Sequence, residues 1–159
     1  MLTNQQYTCL VKKYIDTVFR LALSYTKSPT DADDIVQDVF FALYREKKPF
    51  ETEEYLRHWL IRVTVNQCKK YLRAPWRKHI SYEAYVASLP VPEETGEVLC
   101  AVMALPKKYR LPIYLHYYEE YSTEEIAGIL KIPKGTVCTN LRRGREMLKL
   151  ELQEGEENE

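Results

Sequence analysis

Apolar side chains recur along this chain at helical rather than strand spacing. Leu10, Tyr14, Val18, Leu21 and Tyr25 follow one another at intervals of four, four, three and four, which is one face of a helix over residues 7–25. Ser28-Pro29-Thr30-Asp31 interrupts the pattern, and Thr30 or Asp31 suits the N-cap of a second helix running to about Arg45 and closed by Pro49. An acidic loop, Glu51 to Glu54, leads to a third helix expected over Tyr55 to Arg73, which Pro75 stops. The next stretch changes character. Pro75, Pro90, Pro92 and Gly96, set among Ser and Glu, read as a linker with a short helical turn around Tyr82–Ala87. Helix resumes over Glu97–Leu105. Pro106 fits the first position of the following helix, inside which Pro112 removes one backbone hydrogen bond and is expected to kink it. Two more helices are expected at 123–130 and 134–150. The last nine residues hold five Glu and read as a frayed tail. The fold class is therefore all-α: two small helical domains, 1–74 and 97–152, joined by a flexible linker, 75–96, and followed by an acidic tail, 153–159.

Composition narrows the chemistry. The 159 residues carry 23 Lys plus Arg and 23 Asp plus Glu, so the net charge of zero points to no polyanionic partner by itself. Five glycines leave no glycine-rich phosphate loop. The apolar runs are far shorter than the roughly 20 residues of a membrane span, and Met1-Leu2-Thr3-Asn4-Gln5-Gln6 has no basic-then-apolar leader pattern. A soluble, cytosolic protein is expected. Cys9, Cys68, Cys100 and Cys138 are all at least 32 residues apart, and His58, His79 and His116 are equally scattered. That spacing supports neither a zinc site nor a catalytic Cys/His pair. No metal, no cofactor and no catalytic residue are expected.

The charge is sorted along the chain. Arg57 to Tyr82 contains seven Lys/Arg and no acid, and Lys131 to Lys149 contains six Lys/Arg against Glu146 alone. Acids gather elsewhere, at Asp31, Asp33, Asp34 and Asp38, at Glu119 to Glu125, and in the tail. Two basic segments on a neutral chain can meet a polyanion twice, because binding follows the local field. At roughly 100° per residue, the third helix gathers Leu56, Leu60, Ile61, Val63, Val65, Cys68, Tyr71 and Leu72 on one broad arc. His58, Trp59, Arg62, Asn66, Lys69, Lys70 and Arg73 fall on the other. Cations, an amide and a large ring on one face suit single-stranded nucleic acid, with phosphates on the cations and a base stacked on the ring.

The C-terminal pattern is sharper. Ser122-Thr123-Glu124-Glu125 caps a short helix holding Ile126 and Ala127, the latter small enough for a close helix crossing. Leu130 and Ile132 flank a turn, and Pro133 precedes a second helix with Val137 and Leu141 facing inward. This is a helix-turn-helix pattern. Lys131 stands where a glycine is usual, at a cost of about 1 kcal/mol if its backbone is left-handed. The second helix offers Lys134, Thr136, Thr139, Arg142 and Arg143 to a major groove, Arg reading guanine while Thr and Lys reach phosphates.

These residues together resemble the bacterial sigma-70 family of RNA polymerase sigma factors, specifically the extracytoplasmic-function (ECF) group. Asp31-Ala32-Asp33-Asp34-Ile35-Val36-Gln37-Asp38-Val39-Phe40 is similar to the region 2 helix that docks on the beta-prime clamp helices. Tyr55-Leu56-Arg57-His58-Trp59-Leu60-Ile61-Arg62-Val63-Thr64-Val65-Asn66 resembles the helix that melts and reads the −10 element. Leu105 to Arg110, Ser122 to Ile132 and Gly135-Thr136-Val137 resemble region 4, which reads the −35 element. The resemblance covers nearly the whole chain and implies regions 2 and 4 alone, without a middle region 3 domain. It implies a transcription initiation factor, not an enzyme, that directs polymerase to particular promoters.

The implied polymerase contacts are Asp31, Asp34, Gln37, Asp38 and Phe41. The implied −10 contacts are Trp59, Arg62, Asn66, Lys69, Lys70 and Arg73, with a flipped base held by the loop Pro49–Glu54 and the helix face around Asn66. The implied −35 contacts are Lys134, Thr136, Cys138, Thr139, Arg142 and Arg143. Many family members carry basic residues where this chain has Cys138 and Asn140. The implied partners are core RNA polymerase (clamp helices and beta flap), promoter DNA and an anti-sigma factor, with the protein in the bacterial cytoplasm or held at the membrane by that anti-sigma factor. The competing reading is a helix-turn-helix regulator that binds duplex DNA without polymerase, which needs neither the acidic helix nor the Trp59/Asn66 face.

Overall fold

In the computed structural model, residues 2–73 and 93–157 are described, and among them every regular element is a helix. The chain divides into two units, Met1–Pro90 and Val91–Glu159. The first holds α1 (Asn4–Thr26), α2 (Pro29–Arg45) and α3 (Glu53–Leu72). The second holds α4 (Glu93–Ala104), α5 (Lys107–Tyr117), α6 (Thr123–Leu130) and α7 (Lys134–Glu157).

Helix starts are set by local caps, and several differ from expectation. α1 begins three residues early because Thr3 and Gln6 form a capping box, the Gln6 amide donating to Thr3 Oγ1 (3.1 Å) and the Thr3 amide to Gln6 Oε1 (3.0 Å). α2 is capped by Ser28, not Thr30 or Asp31: its hydroxyl accepts from the Asp31 amide at 3.2 Å, with Pro29 preset at the first helical position. Thr52 caps α3, accepting from the Tyr55 amide at 3.0 Å, so that Glu53 and Glu54 lie in its first turn. Acids there and Lys69 and Lys70 in the last turn both complement the helix dipole. Pro106 is the N-cap of α5 rather than its first residue, and Pro112 sits inside that helix, buried.

The expected linker is shortened from its far end. α4 starts at Glu93 and runs through Gly96; residues 74–92, including the turn expected around Tyr82–Ala87, lie outside the described residues. The acidic tail does not fray at residue 151, because α7 continues to Glu157.

In the first unit the three helices close on Val18, Leu21, Ile35, Val39, Leu43, Leu60, Ile61 and Cys68, all but fully buried. Thr64, absent from the expected apolar arc, is buried too; its hydroxyl donates back to the Leu60 carbonyl at 2.6 Å, which lets a polar residue face the core. Val63, Tyr71 and Leu72 are only half-buried.

The second unit buries Leu99, Met103, Ile113, Tyr114, Leu115, Ile126 and Val137. Ala127 is half-buried, and a tight approach of two helices lies at Gly144. A β-carbon there would stand 2.9 Å from Ile113 Cγ1 and 3.2 Å from Cδ1. Ile113 is itself buried and held by its neighbours. Gly144→Val is therefore expected to destabilise this unit by about 1–3 kcal/mol through overpacking, read as a lowered urea midpoint with unchanged slope. An unchanged midpoint would mean that α5 and α7 yield freely at this crossing.

Candidate nucleic-acid and polymerase interface

In the first unit, Arg62, Asn66, Lys70 and Arg73 are all exposed along α3. Their spacing of four, four and three makes one outward stripe. Lys69 is half-buried at its edge. Trp59 lies one turn before Arg62 and is half-buried. Its ring meets Phe50 edge-on, with centroids 5.4 Å apart, and Phe50 tilts against Tyr55 at 5.9 Å. Tyr55 is 58% exposed. The stripe thus ends in three aromatic rings, and helical periodicity singles out neither Phe50 nor Tyr55 as part of it. Phe50 belongs to no helical period; its one sequence signal is its place directly after Pro49 and five residues before Tyr55.

The start of α3 is tied to α1. Tyr14 donates its hydroxyl to Glu53 Oε1 at 2.9 Å, and Lys13 forms an ion pair with the same oxygen. Beside this anchor opens a cleft of about 450 Å³, lined by Leu10 of α1, Pro49, Phe50, Glu51 and Thr52 of the loop, and Leu56 of α3. Asn66 does not line this cleft; it stands on the outward stripe of α3.

α2 presents a different surface. Asp33, Asp34, Gln37, Asp38 and Phe41 are exposed, and the Arg45 guanidinium lies over the Phe41 ring at 4.3 Å. Asp31 differs from these in being only 8% exposed. It sits in the first turn of α2, where the positive end of the helix dipole offsets the burial of a carboxylate. Asp38 Oδ2 accepts a hydrogen bond from the Tyr71 hydroxyl of α3 at 3.2 Å. Desolvation, then the charge and hydrogen bond of Asp38, with Asp34 and Asp31 further off, push the Tyr71 phenol up to about 12.

A raised phenol contributes its stability below the ordinary tyrosine range, near pH 10, and loses it as pH rises toward 12. Spectrophotometric titration of the chain is therefore expected to show a late phenolate step that Tyr71→Phe removes. Loss of an early step instead would break the assignment. Because this hydrogen bond is exposed, its removal is expected to cost no more than about 0.5–1 kcal/mol.

In the second unit the helix-turn-helix forms as expected. Ser122 and Glu125 make a capping box at 3.1 Å in both directions. Lys131 adopts the left-handed conformation (φ 58°, ψ 46°), and both its amide and that of Ile132 donate to the Ala127 carbonyl. Val137 and Leu141 face inward, 0% and 3% exposed. Lys134, Thr136, Cys138, Arg142 and Arg143 are exposed on α7, and Thr139 is half-buried. Lys134, Cys138 and Arg142, four apart, form one line. Lys134 is already paired: it meets Glu124 of α6 at 3.0 Å, both side chains being largely exposed, and the hydrogen bond and charge of Glu124 raise its pKa. Such an exposed pair is weak enough for a phosphate to displace.

No helix among the described residues is long and apolar enough to cross a membrane.

Comparison with known proteins agrees with this geometry. The family Sigma-70 region 2 matches residues 10–78, and Sigma-70, region 4 matches residues 95–148. The chain is 30% identical to the ECF RNA polymerase sigma factor SigW of Bacillus subtilis, over 91% of this chain and 88% of that protein. It is also 30% identical to the ECF RNA polymerase sigma-E factor of Escherichia coli, over 91% and 85%. Among solved structures it is similar to the sigma factor RpoE of Bartonella quintana, in complex with the anti-sigma factor NepR, with a TM-score of 0.68, 19% identity and coverage of 92% and 96%.

Proposed function

Since the chain belongs to the ECF group of the sigma-70 family, transcription initiation factors that bind core RNA polymerase and direct it to specific promoters, we propose how its surfaces divide that work. The acidic, aromatic-flanked face of α2 meets the clamp helices, through Asp34, Gln37, Asp38 and Phe41. The buried Asp31 is left out: a carboxylate that solvent scarcely reaches offers a partner little to hold. The stripe Arg62, Asn66, Lys70 and Arg73, with Lys69 at its edge, follows the phosphates of the opened −10 strand. Trp59, Phe50 and Tyr55 give an unpaired base a ring to stack on, and the neighbouring cleft has ample room for a base. On the second unit α7 enters the −35 major groove with Thr136, Cys138, Thr139 and Arg142 toward the bases and Lys134 exchanging Glu124 for a phosphate.

An apolar groove of about 510 Å³ on this unit, lined by Val98, Val102, Ile113, Tyr117 and Leu148, is a suitable seat for the beta flap. Phosphodiester chemistry stays with the polymerase. The site of action is the bacterial cytoplasm, and an anti-sigma factor, as in the Bartonella complex, would hold the chain inactive by covering one of these faces.

One observation carries this assignment beyond membership of the family. The exposed acids of α2 (Asp33, Asp34, Asp38) and the exposed cations of α3 (Arg62, Lys70, Arg73) are sorted onto two different helices of one three-helix unit. A factor that must hold a protein and a nucleic acid at once needs that separation, whereas an unaided DNA-binding regulator does not. Co-elution of the full chain with bacterial core polymerase, followed by transcription from a promoter library, tests it. Stoichiometric binding and new start sites sharing −10 and −35 sequences are expected. Failure to bind core, with tight duplex binding by the chain alone, would favour the regulator.

A further inference from the structure

Asp38 differs from the other exposed acids of α2 in being held. The Tyr71 hydroxyl, 33 residues further along the chain and carried by α3, donates to Asp38 Oδ2 at 3.2 Å. Asp33 and Asp34 are exposed on the same helix, and among the described residues neither accepts a hydrogen bond. One carboxylate of the acidic face therefore has a fixed direction, and the helix that fixes it is not its own.

The donor is itself well placed. Tyr71 is half-buried and stands three residues after Cys68, which is fully buried and fastens this end of α3 to the core. Its phenol, raised to about 12 by desolvation first and then by Asp38, keeps its proton throughout the neutral range and so remains a donor.

An exposed aspartate otherwise turns between staggered rotamers, and a partner that binds it must stop that motion at a cost in affinity. A hydroxyl on Oδ2 stops it beforehand. It does not use the carboxylate up. An ionised carboxylate offers about four lone-pair sites; Tyr71 takes one, and Oδ1 accepts nothing among the described residues. What remains is an anion of set orientation on the surface of α2, which suits an ammonium or guanidinium arriving from outside.

We infer that Tyr71 is a positioning residue for polymerase docking: its hydroxyl presets the Asp38 carboxylate for a cationic group of the clamp. The inference rests on the reading of the α2 face as the clamp-docking surface. Through Tyr71 the helix that carries Arg62, Asn66, Lys70 and Arg73 also takes part in holding the polymerase, although its own exposed charges have the sign that suits nucleic acid.

The test is a fluorescence titration of the full chain with bacterial core polymerase, with a urea midpoint measured alongside to establish that each variant is folded. Tyr71→Phe keeps the ring and removes the donor, and core affinity is expected to fall about three- to eightfold. The loss should vanish in an Asp38→Ala background and persist in Asp34→Ala, because a residue that acts through Asp38 has nothing to position once that carboxylate is gone. A merely structural role gives the same loss in all three backgrounds, and that result would overturn the inference. So would unchanged affinity in Tyr71→Phe, or tighter binding, which would make the hydroxyl a competitor of the polymerase for Asp38. The parent reading is judged separately, by Asp38→Arg. If Asp38→Arg loses core while Tyr71→Phe binds as the unaltered chain, the positioning role alone is wrong. If Asp38→Arg binds core normally, the docking surface lies elsewhere and both fall.

Discussion

Asp38→Arg is expected to abolish binding to core polymerase and leave the chain folded. Asp38 is exposed in the middle of α2, while Ile35 and Val39, which are fully buried, hold the helix in place. Arg is as good a helix former as the position needs. Within the unit the substitution removes the Tyr71 hydrogen bond, which is 3.2 Å long and open to solvent. The cost to stability should stay within about 1 kcal/mol, a shift of a few degrees in Tm.

Binding is another matter. A surface built from Asp33, Asp34 and Asp38 selects a cationic partner, and reversing the central charge replaces an attraction by a like-charge contact, which costs several kcal/mol. A loss of at least a hundredfold in core affinity, about 3 kcal/mol, is expected in fluorescence or co-elution titrations. Asp38→Asn, which removes the charge without reversing it, should fall between. Tyr71→Phe, which keeps the charge and removes only the hydrogen bond, should bind core within tenfold of the unaltered chain. Normal core affinity in Asp38→Arg would move the docking surface off α2.

Arg142→Ala is expected to weaken promoter binding by about 1–3 kcal/mol and to relax selection at one −35 position. Arg142 is exposed on α7 in line with Lys134 and Cys138, on the outward side of a helix whose inward side is pinned by Val137 and Leu141. A guanidinium there can take guanine O6 and N7 together, a geometry no other base offers. The measurement is holoenzyme affinity for a promoter and for each single substitution in its −35 element. The unaltered chain should discriminate at the position Arg142 reads, and the variant should not. A loss uniform across all sequences would make Arg142 a phosphate contact. Unchanged affinity would take α7 out of the groove.

Much of this molecule can be read without coordinates because helices announce themselves locally. Tyr14, Val18, Leu21 and Tyr25 share a face by spacing alone, and all four are buried. The helix-turn-helix is legible for the same reason. Ser122 and Glu125 cap within three residues, Lys131 turns within one, and Val137 and Leu141 are one helical turn apart, so none of these features depends on a distant partner. The differences at helix ends are local too. The Thr3–Gln6 box and the Ser28-Pro29 start are present in the sequence, but the apolar period says where a face lies and not where a helix begins.

What escapes the sequence is contact between segments. Nothing in the order of residues says that Asp31 turns inward while Asp34 and Asp38 turn out, since that depends on how α2 rolls against its neighbours. Nor does it say that Tyr71 reaches Asp38 across 33 residues, that Phe50 completes an aromatic cluster with Trp59 and Tyr55, or that Gly144 sits tight against Ile113. The helical class, the division into two units and the sorting of charge follow from residue order alone, because periodicity, punctuation and charge runs are properties of neighbours along the chain. Which of those charges face solvent, and which, like Lys134 and Glu124, are already paired across an interface between helices, is settled by folding. Packing chooses one rotation for each helix, and a side chain's partners follow from that rotation rather than from its place in line.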